Sequence, residues 1–252
     1  ALSISLTYDN FFIPEDGQFF VYSNDRNYVL GSYTSENNSE HSKFATQPVP
    51  GETIYLEYYH PYGNNEDVSI NIDGVIHGYR ALPGVNEMDE DERTAGACNN
   101  NVACPEGDPW ANEIRSVART LTQGWLCSGS MLNNTSEDGT QYFLTAYHCI
   151  EDLQPAYTIF LWNYQASSCT GSWGPSNQTV QGGVLRASSQ DIYNSPDFAL
   201  LEINNTLPES YNVYYSGWTR SASFPQAPVG IHHPDGDIKK ISFDDDAAFG
   251  YN

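Results

Sequence analysis

Two strand ends carry the residues best suited to chemistry. "LTAYHC" (144–149) sets His148 between an apolar run and Cys149, and "SPDFALLEI" (195–203) sets Asp197 at the mouth of an equally apolar run. Attack on a carbonyl by a hydroxyl needs three groups in concert: the hydroxyl, an imidazole that takes its proton, and a buried carboxylate that fixes the imidazole's tautomer and steadies its charged form. Unperturbed histidine titrates near pH ~6.5, so it accepts and returns a proton at neutral pH. Each residue alone has a plainer reading as a hydrogen-bonded structural side chain. Taken together, with "CSGS" (127–130) upstream, they favour the chemical reading.

The remaining polar clusters argue less. His41, His60 and His77 are too far apart to form a constellation. His232 and His233 are adjacent and would point differently from a strand, although with "DGD" (235–237) they leave a metal-dependent hydrolase as an alternative. Asp244, Asp245 and Asp246 could hold a structural calcium or simply solvate a loop. Cysteines stand at 98, 104, 127, 149 and 169 with no C-x-x-C pair, so a structural zinc site is poorly supported. The expectation is no metal and no cofactor. A disulfide framework is the better reading, with an oxidising, extracellular or periplasmic destination and one cysteine left over.

The elements that must position these residues are strands. In residues 1–80, "ISLTYDNFFI", "GQFFVYS", "NYVLGSY", "TIYLEYY" and "VSINIDGVIHGY" are rich in β-branched and aromatic residues and separated by polar turns, which predicts a small β-sandwich. Residues 81–97 switch to proline, glycine and an acidic cluster, predicting an exposed linker bracketed by Arg80 and Arg93 as possible processing points. From 98 to 252 short strands resume: "SVARTL", "WLCSGSML", "QYFLTAYH", "YTIFLWNY", "GGVLRAS", "DFALLEI", and beyond them "YYSGWTR", "APVGIHHP" and "KKISFDD". Their spacing predicts an antiparallel barrel, with helical turns at "ANEIRSV" and "CIEDL".

Charge and hydropathy exclude several classes of partner. The formal charge of −22 divides as −12 over residues 1–97 and −10 over 98–252, so acidity covers the whole surface. Phosphate-bearing partners would be repelled, which argues against nucleic acid and anionic membranes, while cationic substrates would be drawn in; solubility in a salty medium is the plainer explanation. No apolar run approaches the ~20 residues of a membrane helix. "ALSISLTYDN" lacks the basic and apolar regions of a signal peptide and reads as a mature or trimmed start.

"WLCSGSMLNN", "YFLTAYHC" and "SPDFALLEI" resemble the chymotrypsin- and trypsin-like serine proteases. "ACNNNVACPEGD", "IRSVAR", "LNNT", "FLWNYQ" followed by Cys169, and "IHHPDGDIKKIS" sharpen this to the bacterial lysyl endopeptidase branch over about residues 97–243. Residues 1–80 are similar to the N-terminal pro-region of relatives of that branch. The resemblance implies an all-β fold: an N-terminal β-sandwich, then a trypsin-like antiparallel double β-barrel whose second barrel is incomplete here. It implies a secreted, zymogen-like endopeptidase cutting protein or peptide substrates after lysine or arginine. His148 would be the general base and Asp197 its orienting carboxylate. It also implies the pairs Cys127–Cys149 and Cys104–Cys169, leaving Cys98 to bond a segment outside these residues, the chain's own C-terminal fragment. Ser128 and Ser130 match structural positions. The family's Gly-x-Ser-Gly nucleophile does not occur between Asp197 and Asn252, so the serine is expected beyond residue 252. The alternative is a protease-like binding protein without a working serine, using its N-terminal β-domain.

Overall fold

The computed structural model describes residues 1–60, 62–86, 95–96, 98–189 and 196–249; Arg93 and most of the acidic stretch lie outside them. The N-terminal part has seven strands: β1 (Ser3–Phe12), β2 (Gln18–Ser23), β3 (Val29–Tyr33), β4 (Phe44–Ala45), β5 (Val49–Pro50), β6 (Ile54–Tyr59) and β7 (Ser69–Gly78). One sheet runs β4-β1-β5 with β7 also on β1, and the other runs β3-β2-β6. Alternate residues point to one face of a strand, so β1 sends Leu6 and Tyr8 inward while β2 sends Phe19 and Val21 to meet them. Phe11, Ile13, Leu30, Tyr33, Phe44 and Val49 complete this core. It is a two-sheet sandwich, held by aromatic burial.

The second part carries β8 (Asn100–Asn101), a 3₁₀ turn (Pro105–Trp110), a short helix α1 (Ala111–Ser116), β9 (Val117–Thr122), β10 (Trp125–Leu132), β11 (Tyr142–Thr145), β12 (Thr158–Leu161), β13 (Thr179–Gln181), β14 (Gly183–Ser188), β15 (Ala199–Ile203), β16 (Val229–His232) and β17 (Lys240–Phe243). Seven of these form one antiparallel sheet in the order β13-β12-β9-β10-β11-β15-β14. Its two outer strands are halves of one bent strand. Gly182, between them, donates its N–H to the Thr158 carbonyl at 2.8 Å and accepts from the Asn204 N–H at 3.1 Å, so it bonds both ends of the sheet. Its φ of +86° suits glycine and few other residues. The sheet therefore closes into a barrel around Ala118, Met131, Phe143, Phe160, Trp162, Val180, Leu201 and Ile203. The fold is all-β and trypsin-like, with antiparallel sheets throughout.

Beyond this barrel lies a three-stranded sheet, β16-β17-β8. "YYSGWTR", expected as one of its strands, lies instead along β10: Ser216 N–H bonds the Met131 carbonyl at 3.0 Å and Asn133 N–H bonds the Ser216 carbonyl at 2.9 Å. The third strand comes from the N-terminal arm, where Asn100 and Asn101 pair with Ile241 and Lys240. Asn101 is buried, and its Nδ2 reaches the carbonyls of Cys169 and Gly171, each at 2.7 Å. A short asparagine run carries no strand propensity, so its side chain, not its backbone preference, explains its place.

The expected helical turn at "ANEIRSV" is α1, whereas the 3₁₀ turn at "CIEDL" is Tyr147–Cys149, which begins two residues earlier than expected and gives way to a hydrogen-bonded turn at Ile150–Leu153.

Candidate active site

β11 ends at Thr145, and the chain turns through Tyr147–Cys149, carrying His148 past the barrel rim. β15 begins at Ala199 and pairs with β11 through Thr145, so Asp197, two residues before it, arrives beside the same turn. His148 Nδ1 and Asp197 Oδ2 are 2.5 Å apart. The other carboxylate oxygen accepts the backbone N–H groups of Tyr147 at 2.7 Å and His148 at 3.1 Å. The bond to His148, aided by those two N–H groups, holds the Asp197 carboxyl below its usual range. The His148 side chain is 57% exposed and that of Asp197 32%. An ionised acceptor on Nδ1 keeps that nitrogen protonated and leaves Nε2 as the basic lone pair.

Nε2 has Cys149 Sγ at 3.6 Å, and no serine hydroxyl bonds it among the described residues. Cys127, His148 and Cys149 gather their ligand atoms within 4.8 Å, the spacing of a metal site. Both sulfurs are joined to each other, so neither offers a thiolate. That Cys127–Cys149 bridge clips the His148 turn to β10, and Cys104–Cys169 ties the N-terminal arm to the loop after β12. In the chain-entropy model these bridges contribute about 3 and about 4 kcal/mol. Cys98 is exposed and unbridged.

The remaining sequence candidates lie elsewhere. Ser128 Oγ accepts the His233 N–H at 2.8 Å, and Ser130 Oγ bonds Ser116 Oγ at 2.9 Å. His232 and His233 do not converge: His233 is buried, its Nδ1 on the Asp237 carbonyl at 2.9 Å and its ring stacked on Tyr164. Burial first, and then the nearby Lys239, pushes its pKa well below the ordinary value. Asp244 Oδ1 accepts the N–H of Asp246 in an exposed turn. Arg80 is exposed, with its guanidinium over the Tyr79 ring. His41, His60 and His77 are exposed and share no site.

The sequence reading missed the two N–H donors to Asp197. The signal available was the turn itself: a carboxylate abutting a 3₁₀ start meets N–H groups that have no other acceptor. A model of the family described as "Lysyl endopeptidase, C-terminal domain" matches residues 93–252. The chain belongs to this family. A curated relative, the lysyl endopeptidase of Pseudomonas aeruginosa, is 35% identical over 170 residues, covering 62% of this chain and 36% of the relative. The chain thus spans about a third of that relative's length.

Proposed function

We propose that this chain supplies the base and orienting carboxylate of a secreted serine endopeptidase that cleaves after lysine or arginine. The observation that carries the reading is the double grip on Asp197: one oxygen on His148 Nδ1, the other on two backbone N–H groups, with Nε2 left open. A serine hydroxyl presented to Nε2 gives up its proton as its oxygen bonds the scissile carbonyl carbon. The imidazolium faces the Asp197 carboxylate and then returns the proton to the leaving amine. Water repeats the cycle on the acyl-enzyme, with His148 again as base. The serine would come from a Gly-x-Ser-Gly segment outside residues 1–252, consistent with the partial coverage of the relative. Two disulfides suit an oxidising compartment. A formal charge of −22 favours the approach of cationic peptides.

One observation favours a second reading, a protease-like binding protein: no serine hydroxyl bonds Nε2 among the described residues. A fluorophosphonate probe on the full-length protein separates the two. The active reading expects covalent labelling of one serine, lost in His148→Ala, with lysyl or arginyl ester hydrolysis falling by several orders of magnitude. An unlabelled, folded full-length protein would establish the binding reading instead.

A further inference from the structure

The sheet β3-β2-β6 of the N-terminal sandwich has an outer face that no core claims. Phe19 and Val21 of β2 point inward, so Phe20 and Tyr22 point out, together with their cross-strand partners on β6, Glu57 and Tyr55. Tyr59, opposite Gln18, ends the row on one side, and Val29 of β3 flanks Tyr22 on the other. Large apolar side chains stay open to solvent here: Val29 is 54% exposed, Tyr55 46% and Tyr59 56%. The barrel docks on the other sheet and its loops. The Tyr157 hydroxyl donates to Asp73 Oδ2 on β7 at 2.9 Å and accepts from Lys43 Nζ, just before β4, at 3.3 Å. Gln47 Nε2, just after β4, donates to Thr179 Oγ1 at 3.1 Å.

Tyr22 and Tyr55 form the centre of the exposed face. Their rings are near-parallel, with 13° between planes and centroids 5.7 Å apart. Each is pinned by its hydroxyl: Tyr22 donates to Glu57 Oε2 and Tyr55 to Asn24 Oδ1, both at 3.1 Å. The Arg26 guanidinium, 5.4 Å from the Tyr22 centroid, bounds the row at the β2–β3 turn. Rings fixed in this way lose little freedom when a ligand lies against them. The face thus sets aromatic rings among a carboxylate, two amides and a guanidinium.

That mixture selects the occupant. The negative face of a tyrosine ring suits the C–H side of a pyranose, whose polarised C–H groups are weak donors. The hydroxyls around the sugar's rim are met by carboxylate, amide and guanidinium groups. A protein partner would lay a dry core over this face, and charged residues are depleted from such cores, whereas Glu57 stands between Tyr55 and Tyr59. A chain of formal charge −22 repels sulfated glycans and nucleic acids, while a neutral sugar chain meets no such barrier.

We infer that the outer face of β3-β2-β6 is a binding platform for a neutral polysaccharide, with pyranose rings on Tyr22 and Tyr55 and their hydroxyls on Glu57, Asn24 and Arg26. None of these residues bonds His148 or Asp197, so the platform places the chain on sugar-bearing material and takes no part in peptide hydrolysis.

Affinity electrophoresis of the full chain in gels containing hydroxyethylcellulose, galactomannan or laminarin tests this, with calorimetric titration of N-acetylchitohexaose beside it. At least one of the four neutral glycans should bind. Tyr22→Ala and Tyr55→Ala should each weaken that binding at least about tenfold, whereas Tyr79→Ala, an exposed tyrosine at the end of β7, should leave it unchanged. Glu57→Ala keeps every ring in place and should also weaken binding, which supplies the readout if an alanine at 22 or 55 disturbs the sandwich. Absence of binding to all four overturns the inference, as does binding that survives all three platform substitutions. Retardation by dextran sulfate alone overturns the choice of a neutral ligand. A dimer in sedimentation that the same substitutions dissolve would make this face a protein interface instead.

Discussion

Two histidines flank β10 and have opposite surroundings. His148 neighbours Cys149, bridged to Cys127, while the His233 N–H rests on Ser128 Oγ, one residue further along. His148 is exposed and shares its ring proton with a carboxylate. His233 is buried beneath Tyr164 and faces a carbonyl, Lys239 and Arg119, with Nε2 bonding nothing among the described residues. The difference lies in what accompanies the imidazole. Access and a carboxylate held against one nitrogen suit an imidazole to act as a base, whereas burial among cations favours the neutral form.

The largest expected effect falls on the first region. Asp197→Asn in the full-length protein keeps the shape and loses the charge that selects the Nδ1–H tautomer, so kcat should fall about 10⁴-fold. A decrease under tenfold would place His148 outside the chemistry. Next comes the bridge between the two regions. Replacing Cys127 and Cys149 by serine should lower unfolding free energy by about 3 kcal/mol, measured by urea titration under non-reducing conditions.

The second region answers to pH. Lys239 is fully buried with its Nζ on the Ile114 carbonyl at 2.8 Å, and burial brings its pKa from 10.5 down to about 7. Between those values the unfolded chain binds more protons than the folded one, so stability rises with pH across the window, by up to ~1.4 kcal/mol per unit. Below about pH 7 this cost is constant. Lys239→Met should flatten the slope between pH 7 and 9; a variant as steep as the parent refutes the assignment. The smallest effect marks the zero of the scale. The Arg186–Glu202 pair, 2.7 Å apart with half of Arg186 exposed, joins no site, and Arg186→Ala should leave the urea midpoint of unfolding unchanged within error.

These regions also differ in how far the sequence discloses them. His148 and Asp197 each end or precede a four- or five-residue apolar strand, so local pattern exposes both, and pairing of β11 with β15 brings them together. The sandwich is legible for the same reason, from alternating aromatic strands. Arg119 is not: in "SVARTL" it reads as the solvent face of a strand, and its burial depends on Pro83, Tyr164 and Gly236, remote in sequence. Lys239 is likewise hidden, because its acceptor comes from α1, remote in sequence. The third strand of the small sheet escaped because side-chain bonds, not propensity, set Asn100–Asn101 in place.

The bend at Gly182 bears on the order in which the nascent chain can mature. All pairing within the sandwich lies in residues 3–78, so that unit can fold as soon as this stretch leaves the ribosome. The barrel cannot seal until β14 meets β15, whose last residue is Ile203. While residues 117–203 emerge, β9 and β12 present unsealed apolar strands beside an already finished neighbour that bonds Tyr157 and Thr179. Synthesis thus delivers the shield before the surface it covers, and the strand bent at Gly182 closes the barrel behind it.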